Sequence, residues 1–110
     1  MKKAFDITIV KVGTGITEYI GSDSYAYYVT EVLPNKVLGI YTADAHFDAT
    51  HPWQGGVMVV EPFDETHKTT KYIKQLYGNW WIVSRDGKTR LQKFHNLQIG
   101  SAHAYRDPSF

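Results

Sequence analysis

The chain contains no cysteine. Disulfides and thiolate metal sites are therefore excluded, the thiol nucleophiles go with them, and packing alone has to hold the fold. A long apolar run is also missing. The start, Met1 to Val12, carries two early lysines and then alternates polar with apolar residues, so neither a secretory leader nor a membrane span fits and a cytoplasmic protein is expected. Nor is there an excess of one charge: 12 Lys and Arg face 11 Asp and Glu, a net charge of +1 with histidines neutral. That balance is a poor basis for sequence-independent nucleic-acid binding and sets nucleic acid aside as a partner. Even so, Lys68, Lys71, Lys74, Arg85, Lys88, Arg90 and Lys93 all fall in one third of the chain.

What is present is ring-rich. Of 110 residues, 43% are hydrophobic and 15% aromatic, too apolar for a disordered segment and the right length for one domain, 1–110. A chain of this size buries about 65% of its unfolded surface, enough for one modest core. Turn residues recur about every 8–12 positions, at Gly13, Gly21 to Ser24, Pro34-Asn35, Pro52 to Gly56, Gly78-Asn79 and Asp86-Gly87. Between them lie runs rich in β-branched and aromatic residues, of which "YAYYVTEVL" is apolar on both faces and predicts a central strand covered from two sides. Helical periodicity is weak; even Glu65 to Leu76, the best candidate, is threonine-rich and favours a strand. The expectation is an all-β fold with little helix, a small SH3-like barrel or compact β-sandwich of about six to seven short antiparallel strands. Hairpins are predicted at Pro34-Asn35, Gly78-Asn79 and Asp86-Gly87.

Chemistry has one visible focus. "TADAHFDATHPW" (42–53) holds Asp44, His46, Asp48 and His51, and the period-two spacing of the first three would turn them to one face of a strand. Carboxylate and imidazole suit zinc, manganese or iron. The pattern is short, however, and no HExxH accompanies it, so a solvated loop is the expected reading, with no metal and no cofactor. His67, His95 and His103 are scattered, and no Gly-x-Ser-x-Gly turn surrounds a serine. The G-x-G of "VGTGITE" lacks a third glycine and a lysine, and predicts a turn in which Gly13 and Gly15 take positive φ. No catalytic residue is nominated.

The aromatic side chains exceed what so small an interior encloses, so some face outward and bind. Adjacent Trp80 and Trp81 point to opposite faces of a strand, one inward and one outward.

The block "VGTGITEYIGSDSYAYYVTEV" (12–32) resembles a family of small uncharacterised proteins of bacteriophages and prophages. The likeness returns at Glu61-Pro62, at "GNWW" (78–81) and at "IGSAHAYRDPSF" (99–110). The family carries no known activity, so the resemblance implies provenance, with the host bacterial cytoplasm as the setting. Its members tend to have arginine where this chain has Ser24 and Ala102, and Asp44 and His46 do not fit its pattern.

Together these features lead to a small non-catalytic binding module of phage origin, a host-interaction or counter-defence protein that sequesters a nucleotide signal or blocks a host protein. Ser22, Asp23, Tyr25, Tyr27, Trp80, Trp81, Tyr105 and Arg106 are the expected binding residues, and a homo-oligomer is expected. The alternatives are a metal-dependent hydrolase centred on the 44–51 cluster and a nucleic-acid-binding accessory protein using the lysine-rich third.

Overall fold

The computed structural model describes residues 10–47, 56–94 and 96–106. Within them the chain is almost entirely β: β1 (Gly15–Ile20), β2 (Asp23–Leu33), β3 (Val37–Thr42), β4 (Ala45–Phe47), β5 (Met58–Val60), β6 (Lys71–Leu76), β7 (Asn79–Val83), β8 (Arg90–Lys93) and β9 (Asn96–Ile99). Seven strands form one antiparallel sheet in the order β8-β7-β6-β3-β2-β1-β9, and β4 and β5 form a second, two-stranded sheet. The expected all-β class is what the chain adopts. The barrel variant is not: no ladder joins β8 to β9, and the strongly bent sheet folds over its own core as a sandwich does. Its two edges are consecutive in the chain, linked only through Phe94 and the residue after it, and β7 also touches β9. Among the described residues no helix is long and apolar enough to cross a membrane.

Turn chemistry sets the register. At the β1–β2 turn Gly21 takes φ 59°, and Ile20 pairs directly with Asp23. At Pro34–Lys36 a single 3₁₀ turn forms, with Asn35 and Lys36 both at φ 64°, as the Pro-Asn pair predicts. The β6–β7 turn falls one residue earlier than predicted: Leu76 pairs with Asn79, and Tyr77 and Gly78 are its two central residues. Gly13 has the predicted positive φ, 94°. Gly15 does not; it lies in β1, and glycine is required there because a Cβ would come within 2.7 Å of the Ala102 amide nitrogen.

Strand β2 is covered on both faces, as its composition predicts. Tyr27 and Val29 join Ile16, Leu38, Ile40, Ile73, Trp80 and Phe94 in the main core. On the opposite face Ala26 packs with Ala43 and Ala104, under Ala45, Met58 and Val60 of the small sheet. The segment 101–106 ties the two layers together. Ser24 and Tyr105 exchange backbone hydrogen bonds of 2.9 and 3.0 Å, while the amides of Met58 and Arg106 donate to Ala104 and Gly56. Buried Thr17 anchors the same segment, its Oγ1 donating to Ser101 O at 2.8 Å and accepting from the His103 amide at 2.9 Å.

Residues 61–70 lie across the outer face of the sheet. Phe63 packs on the rings of Tyr28 and Tyr41, and Thr69 sits over Gly39, where a Cβ would meet its side chain at 3.0 Å. Backbone bonds from Glu61 to Asp44 and from Thr70 to Ile40 hold the two ends. The threonines predicted against a helix act as sheet partners: only Lys71 onward is strand, and 65–70 is loop.

Candidate functional site

Where residues 61–67 cross the sheet they leave an open cleft of about 630 Å³ between themselves and Asp44. Its floor is aromatic. Tyr41 is buried in β3, and the His67 imidazole stacks on it with ring centroids 4.4 Å apart and planes 18° from parallel. Phe63 and Tyr28 extend the aromatic surface at 5.8–6.1 Å.

The rim is carboxylate. Asp64 opens a turn: its Oδ1 accepts from the Thr66 amide at 2.9 Å and from Thr66 Oγ1 at 2.7 Å, and its carbonyl accepts from the His67 amide. These bonds hold the Asp64 carboxyl below its usual range, so it stays charged. The other oxygen, Oδ2, faces His67 Nε2 at 3.8 Å, and Asp44 Oδ2 faces the same nitrogen at 3.9 Å. Glu61 Oε1 faces His46 Nδ1 at 3.4 Å. Glu65 completes the lining, which among the described residues has no lysine or arginine. Burial raises the phenols of Tyr28 and Tyr41, which remain neutral donors and acceptors. Tyr28 donates to Glu61 O at 2.8 Å, and Tyr41 Oη accepts from the Asp64 amide at 2.8 Å.

The cluster singled out in the sequence is divided by this arrangement. Asp44 turns to His67 and His46 to Glu61; Asp48 and His51 lie outside the described residues. Among the described residues, no three His, Asp or Glu side chains are placed to hold a metal ion.

The other expected binding residues separate into three groups. Tyr27 and Trp80 are 4% and 7% exposed and belong to the main core, so their rings stabilise the fold and present no binding surface. Burial and a 2.6 Å hydrogen bond to the buried Glu18 carboxylate push the Tyr27 phenol up. Tyr25, Tyr105 and Arg106 do come together: Arg106 lays its guanidinium 3.7 Å from the Tyr25 ring centroid and donates through Nη1 to the carbonyls of Ser24 and Tyr105. That contact fastens the 101–106 segment to β2. Ser22 and Asp23 sit beside it at the β1–β2 turn. Trp81 is on β7 and faces away from the core, half-buried beneath Arg90 at 5.0 Å.

The cleft itself was not singled out in the sequence, yet its signal is there. From Val37 to His67 the chain has five Asp and Glu and no Lys or Arg, and Asp64-Glu65-Thr66 has the form of a side-chain-capped turn. No family profile, curated protein or solved structure matches the chain.

Proposed function

We propose that this protein is a non-catalytic binding module whose cleft receives a cationic side chain, lysine or arginine, from a partner protein. The carrying observation is the lining: an aromatic floor of Phe63 and the His67 imidazole, backed by the buried Tyr41 ring, under a carboxylate rim that has no lysine or arginine among the described residues. A ring face attracts a cation through its quadrupole, and the carboxylates complement its charge. The same lining repels phosphate, which favours the protein-blocking form of the expected function over capture of a nucleotide. The phage likeness supplies the setting, with a host protein as the partner.

The magnitudes agree with an anchor point more than a complete site. The ring contributes about 0.5–1 kcal/mol to an exposed cation, and each exposed ion pair about 0.2–1 kcal/mol. The remaining affinity comes from neighbouring surface, where Phe47 and Val59 of the small sheet and Val57 just before it are 57%, 42% and 52% exposed.

The test is an NMR titration with agmatine, lysine methyl ester and an arginine-rich peptide, alongside a thermal-shift screen of cyclic and linear nucleotides. Shifts at Tyr41, Phe63 and His67 that are abolished in Asp44→Asn/Asp64→Asn support the reading. Silence of these residues toward every cation, or a nucleotide seated among them, overturns it.

A further inference from the structure

A second surface, built from β6, β7 and β8, has the opposite charge. Strands β6, β7 and β8 put Lys74, Trp81 and Lys93 in register, the indole paired directly with a lysine on each side. The irregularity between Ile82 and Val83 shifts β8 so that Arg90 pairs with Val83 and comes onto this same face. Its guanidinium lies 5.0 Å from the Trp81 ring centroid. The strand positions of the face, Tyr72, Lys74, Trp81, Val83, Arg90 and Lys93, include no carboxylate. Nearby acids are engaged: Asp86 accepts from Ser84 Oγ and the Lys88 amide, and Glu31 accepts from Thr69, Tyr72 and Arg85.

We infer that this face binds single-stranded nucleic acid. A base stacked on an indole has phosphates on both sides of its sugar, and two lysines flanking the ring about 9–10 Å apart match that arrangement. The Arg90 guanidinium over the ring adds a flat cation that can join or yield to the stacked base, the usual companion of base stacking. A duplex hides its base faces and gains only the charge contacts; an acidic polypeptide gains no stack. The near-neutral total charge argues against nucleic acid, whereas the basic third singled out in the sequence is where this face forms. Lys68 to Phe94 holds seven Lys and Arg and one Asp, and the fold gathers three of its cations, Lys74, Arg90 and Lys93, around Trp81 on neighbouring strands. The inference is independent of the cleft.

The experiment is fluorescence anisotropy with a labelled oligothymidylate of about twelve nucleotides across a salt series, with duplex DNA and polyglutamate as competitors. Trp81→Ala is expected to weaken binding about tenfold. Lys74→Gln/Lys93→Gln, which leaves the indole in place, is expected to reduce the log–log salt slope by about 1.4. The single strand should outcompete both the duplex and polyglutamate. Absence of binding at low salt, equal competition by polyglutamate, or full affinity in the folded double lysine variant overturns the proposal.

Discussion

Glu31, Gly39 and Tyr72 stand side by side on β2, β3 and β6, Gly39 pairing with both neighbours. The missing side chain at the centre makes room for Thr69, whose hydroxyl donates to Glu31 Oε2 at 2.7 Å. Gly39→Ala puts a methyl 3.0 Å from Thr69 and 3.2 Å from the Glu31 Cβ. It should lower stability by about 1–3 kcal/mol, read as a shift in urea midpoint with unchanged slope. The hydrogen bond from Thr69 is the chief cause holding the Glu31 carboxyl below its ordinary 4.5. A depressed carboxyl stabilises the fold above its unfolded value and loses that contribution as pH falls through the folded one. Glu31→Gln should therefore cost stability at neutral pH and flatten the acid limb of a stability–pH curve below 4.5. Tyr27 acts in the other direction. Its raised phenol favours the fold below its ordinary 10.0, and that contribution is lost as pH rises past that value because the unfolded chain then ionises first. Alkaline urea titration should show stability falling above pH 10.0, and Tyr27→Phe should make that slope shallower, leaving the share of the raised Tyr28 and Tyr41 phenols.

At the level of strands and turns, the β6–β7 hairpin combines two unlike requirements. Its two-residue turn places Tyr77 at φ 52° and Gly78 at φ 84°, a geometry that Asn-Gly serves best. Tyr77 is 100% exposed, so its ring offsets none of the backbone cost through packing. Tyr77→Asn should stabilise the protein by on the order of 1 kcal/mol, measured by thermal or urea unfolding. Hairpins were legible in the sequence because Pro-Asn and glycine pairs act locally through their own φ preferences. Strand β2 was legible because apolar residues on both faces have only one satisfactory environment. The 61–70 crossing was not, since Phe63, His67 and Thr69 find partners 22 to 39 positions away, and nothing local announces such partners. For the same reason Tyr27 was expected to bind and the sequence left open which of Trp80 and Trp81 turns inward: composition counts rings, whereas register decides which of them the core takes.

Across the whole molecule the charges separate in space although they nearly cancel in sum. Acids gather around the cleft under residues 61–67, and Lys74, Arg90 and Lys93 gather on β6 to β8. A protein of net charge +1 built this way should bind cation exchanger at neutral pH more strongly than its sum implies, because a patch responds to the matrix locally. Lys74→Gln/Lys93→Gln should elute at clearly lower salt, whereas Lys11→Gln/Lys36→Gln, which removes the same charge elsewhere, should change elution less. Equal behaviour of the two pairs would show that total charge governs retention. The fold class was readable from turn spacing and β-rich composition; of the charge map the acidic stretch 37–67 and the basic stretch 68–93 were readable, but not which side chains share a face, because that depends on which strands become neighbours.

The final consequence concerns the order of assembly. Both outer strands of the large sheet come from the single stretch 90–99, and β9 pairs with β1 some eighty residues earlier, Ile16 opposite Ile99. A nascent chain therefore cannot finish either margin until residues 90–99 have been synthesised, and loop closure over that separation makes for slow folding. Until then two unfinished strand edges are open to other chains, so aggregation during expression should depend on how quickly this late stretch docks.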